Sequence, residues 1–146
     1  MNNTHESYVS LETAKMLKEA GFEWECPEFY LYQDEEFGLR SDLLYNYNRY
    51  PVGNNPDGCF TAPTLSVAQR WLREVKEMYA EAYLSESHHT AVWIAEIYLW
   101  ENRPLGRELR DKCLCTGIGP VYFETYEEAQ EAGIKKCLTI LLEEKE

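Results

Sequence analysis

The run from Ala91 to Trp100 sets the strongest limit on what this chain can fold into. Read with a period of two, Ala91, Trp93, Ala95, Ile97 and Leu99 share one face and are all apolar. Val92, Ile94, Glu96, Tyr98 and Trp100 share the other, where only Glu96 is charged. A strand apolar on almost both faces has to be covered on each side. Helices on one side and a second subunit on the other would supply that cover, so a homodimer is one solution. A chain of 146 residues with 45% hydrophobic content has enough material for a core, and its length fits one domain, 1-146.

Helical spacing surrounds this strand. Ser10 can cap a helix from Leu11 to about Ala20, with Leu11, Ala14 and Leu17 in phase and Gly21 suited to the left-handed stop. Leu65, Ala68, Leu72, Val75, Tyr79 and Ala82 repeat at three and four, predicting a second helix from Thr64 to about Leu84. Thr125 and Glu128 form a capping-box pattern ahead of a third helix, whose buried face holds Ala129, Gly133, Cys137, Ile140 and Leu141. Gly133 lies on that apolar face, where it predicts close approach to a strand.

The aromatic run Phe29-Tyr30-Leu31-Tyr32 suits a strand, and so does Val121-Tyr122-Phe123. Residues 33–62 read as a long Tyr/Asn/Pro/Gly-rich loop, within which Leu43 to Tyr47 can pair as a strand. The expected fold class is α+β, a small mostly antiparallel sheet with about three helices packed on it.

Charge narrows the function. Fourteen Lys and Arg against 26 Asp and Glu leave a formal charge of −12, which repels phosphate backbones and anionic membranes. Arg103, Arg107, Arg110 and Lys112 are the densest basic group, but Glu108 and Asp111 interrupt it; it reads as a solvated loop, and direct nucleic-acid binding is not expected. The acidic surplus keeps a chain soluble, and it can also imitate nucleic acid to a basic host protein. No apolar run approaches the ~20 residues of a membrane span. Met1 to Ser10 is polar, without the apolar stretch of a secretory signal, and the five cysteines are odd in number and irregular in spacing. Free thiols in a reducing cytoplasm are the expectation.

No catalytic signature is present. Gly117-Ile118-Gly119 lacks the lysine and the strand-to-helix setting of a phosphate loop. Cys113-Leu114-Cys115 has one residue between thiols where zinc sites use two to four, and adjacent His88-His89 side chains diverge on an extended chain. No metal and no cofactor are expected. An enzyme assembled from Cys113, Cys115, His88 and His89 stays open, since a Cys–His pair need not be close in sequence. Cys137, on an apolar helical stripe, reads as a small hydrophobe.

The aromatics form the compositional oddity. Tyr30, Tyr32, Tyr45, Tyr47 and Tyr50 gather in or beside residues 33–62, with Asn46, Asn48 and Arg49 between them. Tyr, Asn and Arg are favoured on binding surfaces because they join rigid apolar area to polar tips. Tyr30, Tyr32, Tyr45, Tyr47, Arg49 and Tyr50 are therefore the candidate binding residues. The same tyrosines can instead line the rim of the core and anchor the loop.

Three stretches carry a resemblance: Tyr8 to Phe22 (YVSLETAKMLKEAGF), Thr61 to Val75 (TAPTLSVAQRWLREV) and Tyr122 to Leu138 (YFETYEEAQEAGIKKCL). Together they resemble a small uncharacterised protein family of phages, prophages and mobile elements of gut bacteria. The resemblance spans most of the chain and brings no site residues with it. It implies a context only, elements that carry many accessory genes, counter-defence proteins among them. Within that context the first expectation is a non-enzymatic accessory binding protein acting on a host protein or a small ligand, with the Cys/His enzyme and the acidic nucleic-acid mimic as alternatives.

Overall fold

The computed structural model describes residues 7–49, 57–87, 90–103, 106–114 and 123–144, with side chains defined over 7–49, 57–84, 92–99 and 123–144. The order is α1 (Leu11–Glu19), β1 (Cys26–Gln33), β2 (Glu36–Tyr45), a 3-10 turn (Tyr47–Arg49), β3 (Cys59–Thr61), α2 (Leu65–Val75), β4 (Met78–Ser87), β5 (Thr90–Arg103), β6 (Gly106–Leu114) and α3 (Tyr126–Glu144). The class is α+β. The strands make two antiparallel sheets, ordered β2-β1-β3 and β4-β5-β6. The chain divides into two compact units, Met1–Ser66 and Val67–Glu146.

In the first unit α1 is closed at both ends by its own sequence. The Ser10 hydroxyl accepts from the Thr13 N–H at 3.3 Å. At the other end Gly21 takes φ +98, its N–H reaches the Lys18 carbonyl at 3.1 Å, and the Phe22 N–H reaches the Leu17 carbonyl at 2.9 Å. That pair of bonds is the Schellman stop, and the buried Phe22 and Leu17 supply its apolar contact.

Most of the described residues in 33–62 are not the loop that composition suggests, and 50–56 lie outside the described residues. Residues 36–45 form β2, paired with β1 from Gln33↔Glu36 up to Cys26↔Tyr45, and 59–61 form β3 on the other edge of β1. Asp34 and Glu35 turn the hairpin with φ of 56° and 65°. Both values are left-handed, as a two-residue type I′ turn requires. Two extra residues on β2 fall between its pairings to Glu28 and Cys26, and Leu43 and Leu44 there are exposed.

Alternation along β1 divides the first sheet into two faces. Phe29 and Leu31 point to one, where Tyr47 stacks on Phe29 at 4.0 Å between ring centroids and buried Cys59 completes the cluster. Tyr30 and Tyr32 point to the other, with Phe37, Leu39 and Phe60 as cross-strand partners. Asn48 ties the 3-10 turn down: its amide donates to the Phe22 carbonyl at 2.8 Å and its Oδ1 accepts from the Thr61 N–H at 2.9 Å.

In the second unit the helix expected to about Leu84 ends at Val75. Glu77 has φ +56, and the chain then runs as β4. The three-and-four spacing continued through Tyr79 and Ala82, but Met78 to Leu84 also alternates as a strand does. Registered pairing with β5 from Met78↔Leu99 to Ser87↔Thr90 decides between the two periods. β5 carries the run that is apolar on almost both faces: Ala95, Ile97 and Leu99 are buried on one face, and α3 packs on that side. On the other face Glu96, 6% exposed, stands opposite Glu81, between the Tyr79–Tyr98 and Tyr83–Ile94 pairs. Burial, then the Glu81 carboxylate and the Tyr83 and Tyr79 phenols, pushes the Tyr98 phenol up.

α3 begins as its capping residues direct, with the Glu128 N–H on Thr125 Oγ1 at 3.1 Å. Gln69 of α2 donates to the Ala80 carbonyl at 2.9 Å and accepts from Gln130 of α3 at 2.7 Å, a half-buried polar link across three elements. The basic group Arg103, Arg107, Arg110 and Lys112 lies within strands β5 and β6 rather than on a loop, with Arg110 at the shift in their register. Of the strand expected at 121–123, Phe123 makes a single bridge to Trp93, and 121–122 lie outside the described residues.

Candidate functional site

On the face of the first sheet that carries Tyr30 and Tyr32, an open pocket of about 670 Å³ lies against α1. Lys15, Lys18 and Glu19 line it from the helix, Tyr32 from β1, Phe37 from β2, Phe60 from β3, and Asp57 from the segment before β3. Positions 15, 18 and 19 are one turn apart and share a helix face, while Thr13, Ala14 and Leu17 face the core. The three aromatic side chains come together because the hairpin pairs Tyr32 with Phe37, and Phe60 sits on the same side of the sheet.

The rings form a tilted array. Phe37 lies 5.1 Å from Tyr32 and 5.8 Å from Phe60, with interplanar angles of 55° and 47°. Lysine ammoniums stand above it. Lys15 Nζ is 5.1 Å from the Phe37 centroid and 5.8 Å from that of Phe60, and Lys18 Nζ is 5.0 Å from Phe60. Lys18 also donates to the Cys59 carbonyl at 3.4 Å. Each ammonium is attracted to the negative ring face beneath it. Glu19 and Asp57 bring two carboxylates to the same lining, so the formal charges balance.

The tyrosine group expected from sequence is dispersed by the fold. Tyr32 lines the pocket. Tyr30 shares that face, but its hydroxyl is committed to the Val9 carbonyl at 2.6 Å. Tyr47 is buried on the opposite face, and its hydroxyl donates to the Leu43 carbonyl. Tyr45 packs edge-on to Tyr47 at 5.4 Å. Arg49 is exposed and pairs with Glu23 at 3.5 Å. Tyr50 lies outside the described residues. Lys15, Lys18, Glu19, Phe37, Asp57 and Phe60 were not singled out by sequence; the shared helix face of the first three was visible, whereas the aromatic array depends on recognising the hairpin.

The cysteines divide similarly. Cys26, Cys59 and Cys137 are buried and form no disulfide. Burial, with the Glu28 carboxylate adding to it, pushes the Cys26 thiol up to about 11. Burial does the same to Cys59, up to about 11, against a smaller opposing pull from Lys18. Both thiols are protonated at neutral pH. His88, His89 and Cys115 lie outside the described residues, and Cys113 is placed only as backbone in β6. Among the described residues no group of His, Cys, Asp and Glu could hold a metal ion, and no helix is long and apolar enough to cross a membrane. No family model, curated protein or solved structure matches this chain.

Proposed function

We propose that this chain is a non-enzymatic accessory binding protein, of the phage or mobile-element type its sequence resembles. It acts by holding a small ligand in the pocket between α1 and the first sheet. The observation behind this reading is the lining itself: three aromatic side chains from three strands beside two lysines and two carboxylates, in a volume of about 670 Å³. Small-molecule sites have this character, a mostly apolar wall with a few charged groups that fix orientation, typically within roughly 300–1,000 Å³.

Native mass spectrometry of the gently purified full chain tests the reading, with the Phe37→Ala variant alongside. A discrete extra mass of metabolite size, retained by the parent and lost in the variant, is the expected result. A bare chain whose melting temperature no small metabolite raises overturns it, and leaves capture of a host protein as the function to pursue.

A further inference from the structure

We infer that the pocket takes a planar aromatic ring that carries one anionic group together with hydrogen-bond donors. This rests on the binding reading above and specifies its ligand. Lys15 and Lys18 both lie within 6 Å of the Phe60 centroid, at 5.8 and 5.0 Å. Two ammoniums beside one ring offer an anionic group two attractive partners at once. The same geometry disfavours a cation. A quaternary ammonium or a ligand lysine would need the ring faces as its seat, and the chain's own lysines already occupy the faces of Phe37 and Phe60.

The rest of the ligand follows from the rest of the lining. Tyr32 is 41% exposed at the edge of the array, and Phe37 beside it is half-buried, so the array ends in ring surface that a further ring can join. Aromatic pairs favour tilted or offset contacts at centroid separations of roughly 4.5–7 Å, the spacing the three side chains already keep among themselves. Glu19 and Asp57 accept hydrogen bonds only, so they favour a ligand with N–H or O–H donors. They also make the lining neutral overall, which argues against a polyanion such as a bare nucleic-acid backbone. Two common sources share this chemistry. A nucleoside monophosphate offers base N–H groups and a phosphate, and an aromatic amino acid offers its ammonium and its carboxylate.

The full chain, labelled with 15N, is titrated separately with adenosine monophosphate and with tryptophan while amide signals are followed. The counterparts without the anion, adenosine and tryptamine, are run in parallel. One of the two anions is expected to move the amides of 15–19, 32, 37 and 57–60 saturably below about 10 mM. Removing its anionic group should weaken binding about tenfold or more, and Lys15→Gln should do so about fivefold. Lys15 is exposed, so this substitution leaves the core untouched; Phe37→Leu provides a second variant that removes a ring rather than a charge. Which anion binds identifies the source. Equal binding of adenosine or tryptamine, or unchanged affinity in Lys15→Gln, overturns the inference. So does saturation by neither anion, and if native mass spectrometry still finds another retained mass, the binding reading survives while this ligand class does not.

Discussion

Gly133 provides a sharp test of how α3 meets its sheet. In an open helix, replacing glycine with alanine gains about 1 kcal/mol. At this position a Cβ would stand 3.2 Å from the Ala80 Cβ, 3.7 Å from the Ala95 Cβ and 4.0 Å from the Ala80 Cα. Carbon atoms pack best at roughly 3.5–4.0 Å, so the first contact is a few tenths of an ångström too short and the other two are ordinary. Relief would have to come from β4, which is held to β5 by ten registered pairs, and Ala80 itself is 4% exposed. Overpacking a rigid core by one methyl costs about 1–3 kcal/mol, which outweighs the propensity gain. Gly133→Ala is therefore expected to destabilise the protein by about 1 kcal/mol, and Gly133→Leu by more than about 3 kcal/mol. The cause can be isolated by adding Ala80→Gly, which removes the facing methyl. In the double variant the penalty of Gly133→Ala should shrink, giving a favourable coupling of about 1 kcal/mol. Urea unfolding followed by circular dichroism measures all four corners of that cycle. A Gly133→Ala protein that gains the full propensity increment, with no coupling to Ala80→Gly, would refute the close approach.

Three further outcomes are expected. Glu35→Gly should raise stability by about 1 kcal/mol, because Glu35 is exposed and holds φ 65°, where a side chain is strained and glycine is not; a lower urea midpoint would contradict the type I′ turn. Asn48→Ala should cost about 2–4 kcal/mol, since it strips a partner from the Phe22 carbonyl and from the N–H of fully buried Thr61. Asn48→Asp keeps the acceptor and should fall between; a loss under about 0.5 kcal/mol in either would dismiss the tie. At pH 7 Cys26 and Cys59, raised from 9.0 to about 11, should react with an aromatic disulfide about a hundredfold more slowly than thiols of ordinary pKa. An acid whose folded pKa is raised stabilises the fold fully below its unfolded pKa, so this contribution should be lost as pH climbs from about 9 to about 11. Fast labelling at pH 7 would show that burial does not protect these thiols.

How much of this was legible in the sequence depended on whether a signal was local. The two ends of α1, the start of α3 and the approach at Gly133 each rest on a few adjacent residues, and each was readable. The β1–β2 hairpin was hidden because its turn is Asp34-Glu35. Asn-Gly or Asp-Gly would have announced it, whereas two acidic residues in left-handed conformation do not. With the turn unseen, Phe37 and Leu39 read as part of a long loop, and their pairing with Tyr32 and Tyr30 was lost with it. The end of α2 failed for a different reason. Met78 to Leu84 satisfies both helical and strand periods, and only the partner strand, distant in sequence, resolves the ambiguity. The pocket inherits the first difficulty, since its floor is assembled by the β1–β2 and β1–β3 pairing rather than by any motif.

That dependence has a consequence for the tyrosines. One alternation along β1 sends Phe29 and Leu31 to the buried cluster and Tyr30 and Tyr32 to the side that carries the pocket. A slip of a single residue would exchange the two sets, placing phenols against Tyr47 and Cys59 and bare apolar side chains under the lysines. The two-residue turn at Asp34-Glu35 and the Asn48 bonds to Phe22 and Thr61 both act against such a slip. The pocket is thus not a feature added to a finished sheet; the same register that closes the core lines it. Changes at Phe37 or Phe60 therefore act on fold and site together. The exposed Lys15, which reaches the rings from α1 rather than from the sheet, is where the site can be altered with the register left intact.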